Sequence, residues 1–186
     1  QTLREHGQYL PIDPPPDDHV SIGGLLATGR SGAWRGHLPA ARDLLLGAVV
    51  ASPSGQLETS GGRVVKNVTG YDMHRLHTGA LGAFGVIVEA SFKVAPLPPV
   101  TRTLAARTDT VEQAGTLALR LWNAGLAARA LSILAPETAE RIGLPASATV
   151  LVELAGLEVS VDRSTQIVRE ANPRAEEPAG TPWERL

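Results

Sequence analysis

The feature that most constrains this chain is a glycine at every third position immediately ahead of a predicted strand. Gly79, Gly82 and Gly85 have this spacing. The alternation that follows predicts a strand whose apolar face consists of Val86, Val88, Ala90, Phe92 and Val94. Glycines so spaced permit positive φ angles and let a flat or anionic ligand approach the main chain. Taken alone, the pattern favours a tight structural turn, and a second glycine cluster upstream changes that balance.

The second cluster follows Ser21, which is a good N-cap for a short helix. Gly23 and Gly24 would leave the first-turn amides of this helix uncovered. Uncovered amides at a helix N-terminus, with the helix dipole behind them, suit a diphosphate. Close packing of the turn against a strand explains the same residues equally well, so both interpretations stay open at this point.

The rest of the chain predicts two domains. Leu46–Ala51 and Gln56–Thr59 form a predicted hairpin across a proline- and glycine-containing turn. The prolines at 96–99 predict a linker. Beyond it, the order strand, helix, strand, strand, helix, strand indicates a ferredoxin-like α/β sandwich. Its predicted elements are 101–107, 111–124, 131–134, 149–154, 159–171 and 174–178, and Trp122 on the first helix is predicted to lie in the core.

Composition excludes several classes of protein. The 186 residues have a formal net charge of -2 and 43% hydrophobic side chains, which argues against a nucleic-acid binder and allows a sizeable core. The absence of cysteine excludes disulfides and thiolate metal sites. Asp17, Asp18 and His19 invite a metal hypothesis, but without a second ligand cluster we expect solvated loop charges and no metal. No apolar run of membrane-span length and no signal peptide are present, which predicts a cytoplasmic protein.

Three segments together resemble a known family. The segments are VSIGGLLATGRSG (20–32), TGALGAFGVIVEA (78–90) and, overlapping the latter, VVKNVTGYDMHRLHTGALG (64–82). They resemble the flavin-binding domain of the FAD-binding PCMH-type (vanillyl-alcohol oxidase) superfamily. Within it, the third segment is similar to bacterial glycolate oxidase and D-lactate dehydrogenase flavoproteins, above all to FAD-binding E subunits of glycolate oxidase. The resemblance covers residues 1–100 strongly.

The resemblance implies an α+β fold in which residues 1–99 are the second, C-terminal subdomain of a PCMH-type FAD-binding domain. Residues 100–186 would form a ferredoxin-like cap or substrate domain. The first FAD subdomain would lie upstream of Gln1, and the cap would continue past Leu186. FAD is the implied cofactor. The implied cofactor-binding residues are Pro14, Pro15, Ser21, Gly23, Gly24, Ala27, Thr28, Ser31, Gly32, Gly85, Val86 and Ile87.

The implied function is oxidation of a small 2-hydroxy acid, glycolate to glyoxylate, with electrons passing through the flavin. The implied partners are a catalytic flavin subunit and an iron–sulfur subunit. No catalytic residue is assigned, because each polar group beside the glycine turn also has a structural explanation. These groups are Lys66, Asn67, Tyr71, Asp72, His74, Arg75 and His77. Two alternatives remain: a flavin-free assembly paralogue, and an independent flavin oxidoreductase acting on lactate or another alcohol.

Overall fold

The computed structural model describes residues 2–15, 19–35, 38–66 and 70–186, with the backbone only for Glu184 and Arg185. The chain divides into two compact units, Gln1–Leu97 and Pro98–Leu186. The division falls within the proline segment 96–99. Among the described residues, no helix is long and apolar enough to cross a membrane.

The first unit is built around a small antiparallel sheet. Its elements are α1 (Thr2–Glu5), β1 (Gln8–Tyr9), α2 (Ile22–Thr28), α3 (Ala41–Leu44), β2 (Leu45–Ala51), β3 (Leu57–Gly61), α4 (Met73–Leu76), β4 (Val86–Phe92) and β5 (Ala95–Pro96). Three strands pair in the order β3-β2-β4, and β1 pairs separately with β5. The sheet places β4 at one edge, beside α2.

The central position of β2 follows from its sequence. Leu45, Ala48 and Val50 are buried, as expected of a strand with neighbours on both sides. The turn after it closes with a 2.9 Å hydrogen bond from the Gly55 amide to the Ser52 carbonyl. Ala51 then pairs with Leu57 in antiparallel register. The predicted hairpin is therefore confirmed.

The predicted apolar face of β4 holds for Ala90 and Phe92, which pair with buried Ala48 and Leu45, but it is wrong for Val86 and Val88 because the strand contains a bulge. Ile87 pairs with Val50, and Glu89 pairs with Val49, so Val88 is an extra residue between them. The extra residue reverses the alternation, and Ile87 instead of Val88 lies opposite buried Val50. Val86 and Val88 are consequently 67% and 56% exposed.

The second unit has the predicted ferredoxin-like order. Its elements are β6 (Val100–Thr108), α5 (Val111–Asn123), β7 (Ala128–Leu134), α6 (Pro136–Arg141), β8 (Ala148–Gly156), α7 (Glu158–Ala171), β9 (Ala175–Glu176) and a final 3-10 helix (Pro182–Arg185). The four strands are antiparallel in the order β7-β8-β6-β9. The α+β class predicted from the sequence is confirmed.

The core of this unit lies between the sheet and the helices α5 and α7. The Thr110 hydroxyl caps α5 by accepting a hydrogen bond from the Gln113 amide at 3.3 Å. Leu117 and Leu121 are buried, but Trp122 is 56% exposed. Trp122 lies one residue, or 100°, beyond Leu121 around the helix, at the border of the apolar stripe. The prediction that it lies in the core was wrong.

Strand β8 also contains a buried ion pair. Alternate residues of a strand point to opposite faces, so Glu153 lies on the face opposite its core neighbour Val152. Its carboxylate accepts a 2.8 Å hydrogen bond from the Arg129 Nε of β7. The Glu153 side chain is 7% exposed and that of Arg129 is 15% exposed. Both charges have lost most of their hydrating water, so the contribution of this ion pair to stability depends on how well its hydrogen bond is formed.

Candidate functional site

Helix α2 begins at Ser21, as predicted, but its first amides are less open than expected. The Ser21 hydroxyl accepts a 3.0 Å hydrogen bond from the Gly24 amide, and the Ser21 carbonyl accepts one from Leu25 at 2.8 Å. The Gly24 amide is therefore engaged, which corrects the expectation of two uncovered glycine amides. Farther along, the Thr28 hydroxyl donates to the Gly24 carbonyl at 2.8 Å, so this side chain serves its own helix.

The two glycine clusters lie against each other. The amide of Gly79 donates to the carbonyl of Leu26 at 2.9 Å, and the amide of Leu81 donates to that of Ala27 at 2.8 Å. These bonds engage carbonyl groups of the last turn of α2, where the Leu26 carbonyl also accepts from the C-cap amide of Gly29 at 3.2 Å. Residues more than 50 positions apart in the sequence thus form one structural element. We call it the glycine junction, defined as α2 together with residues 79–81.

Strand β4 completes the surface beside the junction. A side-chain carbon built on Gly23 would lie 3.4 Å from the Ile87 carbonyl, which places α2 directly over the strand. Val86 and Ile87 pair on one side with Ala51 and Val50 of β2. On its other side β4 is an edge of the described three-stranded sheet. Five of the predicted cofactor residues, Ser21, Gly23, Gly24, Val86 and Ile87, therefore belong to elements in contact.

Glycine is required at position 85 by the packing of the protein itself. A side-chain carbon at this position would overlap the Ala51 carbonyl and lie 2.8 Å from a methyl carbon of Val50. Its φ of 136° is also one that L-residues rarely adopt. The packing of β4 against β2 thus requires glycine here whether or not a ligand is bound.

The remaining predicted residues meet at Asp13, which the sequence analysis did not single out. Its carbonyl accepts a 2.8 Å hydrogen bond from Gly32, and its Oδ2 accepts one from the Trp34 amide at 2.6 Å. A side-chain carbon on Gly32 would lie 2.7 Å from that Oδ2. Pro14 and Pro15 directly follow Asp13 and so belong to the segment that is bonded to Gly32. An aspartate before proline in a loop is a turn-forming signal and could have predicted this contact.

Burial also affects the charge of Asp13. Desolvation raises the pKa of its carboxyl above 3.8, and the hydrogen bond from Trp34 partly opposes this by lowering it. The carboxyl lines a cavity of about 180 Å³ that is also lined by Arg30, Ser31, Trp34 and Arg35. This cavity adjoins the first glycine cluster.

His74 is the most buried of the polar groups near the second cluster. It is 3% exposed. Its amide donates to the Ser60 hydroxyl at 3.0 Å, and its Nδ1 lies 3.2 Å from the same oxygen. Burial lowers the pKa of this imidazole below 6.5; Asp72 opposes this by raising it, Arg75 lowers it, and the hydrogen bond with the Leu45 backbone raises it slightly. His74 therefore ties α4 to β3 through its contacts with Ser60.

The other polar groups do not gather around His74 as one catalytic cluster. Tyr71 is 90% exposed. The ring of His77 packs edge-on against Phe84, with centroids 6.3 Å apart. Asp72 pairs with Arg75 at 3.5 Å but makes no side-chain cap bond to α4. Lys66 is exposed.

Two buried polar atoms in the segment 75–78, just before the second glycine cluster, are Arg75 Nε and Thr78 Oγ1. Neither has a hydrogen-bond partner among the described residues. Among the residues described, no group of three or more His, Asp or Glu side chains could hold a metal ion. Asp17 and Asp18 of the metal hypothesis, and Asn67 of the polar set, lie outside the described residues.

The residues present fit part of an FAD site. Gly23 lies over the edge strand β4, where an added side-chain carbon would make an ordinary contact of 3.4 Å with the Ile87 carbonyl. The glycine junction holds α2 and residues 79–81 together. Gly32 and Gly85, in contrast, are required by the protein's own packing. At Gly32 and Gly85 the close packing alone accounts for glycine, whereas at Gly23 it does not.

Comparison with known proteins identifies relatives of the same kind. The chain is 39% identical to glycolate oxidase subunit GlcE of Escherichia coli over 103 residues, which are 55% of this chain and 29% of that protein. It is 30% identical to glycolate oxidase subunit GlcD of Bacillus subtilis over 175 residues, 89% of this chain and 37% of that protein. It is 29% identical to the mitochondrial D-lactate dehydrogenase [cytochrome] of Arabidopsis thaliana over 174 residues, 90% of this chain and 30% of that protein. The chain thus spans about a third of the length of these relatives.

Solved structures show the fold. A structure of alkyldihydroxyacetonephosphate synthase matches 99% of this chain and 40% of its own, with a TM-score of 0.77 and 19% sequence identity. A search of protein-family models found no match. The PCMH-type fold predicted from the resemblance is confirmed, and FAD, the predicted cofactor, is the one that these relatives use. The chain is therefore a relative of the glycolate oxidase and D-lactate dehydrogenase flavoproteins of the FAD-binding PCMH-type superfamily.

Proposed function

We propose that this chain is part of the FAD-binding subunit of a glycolate oxidase-type oxidoreductase. The observation that carries the proposal is the glycine junction. Two separate segments, each similar to the flavoproteins above, meet through main-chain hydrogen bonds from Gly79 and Leu81 to α2. The sequence similarity to GlcE, 39% over 103 residues, supports the same assignment.

The first unit would be the second subdomain of the FAD-binding domain, and the second unit the cap or substrate domain. We expect Ser21, Gly23, Gly24, Ala27 and Ile87 to contact FAD mainly through main-chain atoms and short side chains. Ala27 is part of the glycine junction. Val86, being exposed on an edge strand, would add an apolar contact.

The other predicted residues have more indirect parts in this proposal. Gly85 and Gly32 would shape the site by permitting close packing. Thr28, whose hydroxyl is bonded within α2, would contribute no free donor. Pro14, Pro15 and Ser31 would form one wall of the FAD site, and the hydrogen bond between Gly32 and Asp13 would hold the two segments of this wall together.

FAD, when bound, supplies the two-electron acceptor for oxidation of a small 2-hydroxy acid such as glycolate, which yields glyoxylate. We expect the subunit to act in the cytoplasm with a catalytic flavin subunit and an iron–sulfur subunit. The subunit names of the bacterial relatives support assembly into a complex.

The test compares two helix glycines in the full-length protein. Gly23→Leu would fill the space between α2 and β4, and Gly115→Leu in α5 is the matched control, because nothing lies within 4 Å of a side-chain carbon there. We expect the purified protein to be yellow, with FAD released by acid. Gly23→Leu should lose most of the FAD, whereas Gly115→Leu should keep it. Because a side chain at position 23 also meets the Ile87 carbonyl, circular dichroism and thermal unfolding measure how far α2 remains packed on β4, and FAD uptake is compared in the folded variants.

Each result bears on a different alternative. A folded, colourless protein that takes up no added FAD would overturn the proposal and support an assembly role without flavin. A yellow protein that forms no complex and oxidises lactate in preference to glycolate would support an independent oxidoreductase. Equal FAD content in the Gly23→Leu and Gly115→Leu variants would overturn the placement of FAD beside α2.

A further inference from the structure

Asp13 holds the part of the chain that leaves helix α2. The helix is capped at Gly29, and the segment 30–34 continues from there. The main-chain carbonyl of Asp13 accepts a hydrogen bond from the Gly32 amide at 2.8 Å. Its side-chain Oδ2 accepts one from the Trp34 amide at 2.6 Å. Asp13 thus binds two alternate amides of one segment, and we call this pair of hydrogen bonds the aspartate clamp.

The two sides of the aspartate clamp differ in conformational freedom. Asp13 lies between Pro11 and Pro14. Proline fixes its own φ at about -65° and keeps the residue before it in an extended conformation. Pro11 is also buried, which anchors this side. The segment 30–34 contains no proline and includes Gly32, and glycine has the freest backbone of all residues. A stiff segment therefore holds a flexible one.

Side-chain packing contributes less to the position of the segment 30–34. Leu25 and Gly29 line the same cavity of about 180 Å³ as Ser31 and Trp34 of the segment. Voids of this size are few in a close-packed protein interior, and atoms that face one lose contacts on that side. The two hydrogen bonds to Asp13 therefore carry a larger share of the positioning than they would in a close-packed region.

The aspartate clamp also explains the glycine at position 32. Apart from its chain neighbours, a side-chain carbon there would have three atoms of the Asp13 carboxyl group as its nearest contacts, at 2.7, 2.8 and 2.9 Å. The backbone of Gly32 does not have the positive φ that favours glycine. An alanine would therefore be opposed by the carboxyl group and not by the backbone. Its methyl group would push the carboxyl group away from the Trp34 amide, so Gly32 and Asp13 serve the same contact.

We propose that Asp13 is a positioning residue of the FAD site, which acts by holding Gly32 and Trp34 and not by touching the cofactor. The two segments that it joins contain four of the predicted cofactor residues, Pro14, Pro15, Ser31 and Gly32. Groups that are held in place before a ligand arrives lose little freedom when it binds, so the affinity for FAD depends on the clamp. This role rests on the proposed function, which supplies the identity of the ligand.

The experiment measures the dissociation constant of FAD in the full-length protein, after the cofactor has been removed and added back. Asp13→Ala removes the side-chain acceptor, and we expect FAD to bind at least about tenfold more weakly. Asp13→Asn keeps an oxygen that can accept from the Trp34 amide, so its FAD affinity should stay within about threefold of that of the parent protein. The control is Asp43→Ala, which removes a carboxylate from an exposed position in α3 and should leave FAD binding unchanged.

Gly32→Ala tests the same hydrogen bond without changing Asp13. Its methyl group should displace the carboxyl group and weaken FAD binding to a similar extent. In the double variant both changes break one bond, so the loss of affinity should be no larger than in Asp13→Ala alone. Hydrogen exchange of the Trp34 amide should be faster in both single alanine variants and stay slow in Asp13→Asn. If Asp13→Ala does not fold, Gly32→Ala compared with the parent protein still decides.

The inference is overturned if Asp13→Ala, or Gly32→Ala in its place, binds FAD like the parent protein. Additive weakening in the double variant would also overturn it, and so would a loss in Asp13→Asn as large as that in Asp13→Ala. FAD content of the parent protein separates the two proposals. A parent protein that holds FAD and gives any of these results refutes only the role of Asp13. A folded parent protein that takes up no FAD refutes the proposed function, and the role of Asp13 in FAD binding with it.

Discussion

Replacement of Gly85 by alanine should destabilise the first unit severely without any ligand being present. The new methyl group would overlap the Ala51 carbonyl and lie 2.8 Å from a methyl carbon of Val50. Forced packing of this kind costs about 1–3 kcal/mol. The φ of 136° adds backbone strain of about 1–3 kcal/mol for a residue other than glycine. Together we expect a loss of about 2–6 kcal/mol, a large part of the free energy of unfolding of about 5–15 kcal/mol that is typical of a domain.

The matched control is Gly82→Ala in the same turn. Its φ of 79° carries the strain, but the nearest heavy atom to the added carbon is 3.9 Å away. The expected loss is therefore about 1–2 kcal/mol. Native-state hydrogen exchange of the β2 amides reports the unfolding free energy of this unit apart from the other. A loss in Gly85→Ala no larger than that in Gly82→Ala would refute the packing explanation.

Three further predictions concern buried groups. Because burial lowers the pKa of His74 below 6.5, the native protein binds fewer protons than the unfolded chain. The first unit should thus lose stability as pH falls through 6.5 towards the pKa of the folded state. Urea unfolding at a series of pH values should show that the free energy of unfolding varies less with pH in His74→Gln than in the parent protein. Glu153→Ala should lower the free energy of unfolding by about 3–5 kcal/mol, because it leaves the Arg129 charge buried without a partner. The double variant Arg129→Met, Glu153→Leu should lose clearly less, and thermal unfolding measures both. Leu121→Ala, at a fully buried core position, should cost about 2–5 kcal/mol in urea titrations, and a loss under 1 kcal/mol would contradict its assignment to the core.

The features predictable from the sequence were those set by local chemistry. The Ser21 cap, the hairpin turn at Gly55 and the cap at Thr110 all depend on residues within four positions of each other. The order of elements in the second unit followed from apolar periodicity. Even there, Trp122 shows the limit of the method, because periodicity places the border of an apolar stripe only to within a residue.

The features that sequence reasoning missed depend on distant partners. The bulge at Val88 is determined by pairing with β2, and nothing in the alternation of β4 itself shows the extra residue. Asp13 acquires its role only when residues 32 and 34 fold back onto it. The burial of His74 depends on Ser60, 14 positions earlier. For the predicted cofactor residues, the pattern did not separate Gly32 and Gly85, which the packing requires, from Gly24, which is exposed.

The glycine junction has a consequence for divergence within the family. Its two hydrogen bonds, from Gly79 to Leu26 and from Leu81 to Ala27, use main-chain atoms alone. Leu81 is 77% exposed although its amide is anchored. Since the bonds use main-chain atoms, substitutions can accumulate at exposed side chains of both segments without separating them, while Gly29 and Gly79 are restricted by their φ angles of 62° and 78°. A fold joined in this way can keep its shape while sequence identity falls to 19%, the level observed against the synthase structure.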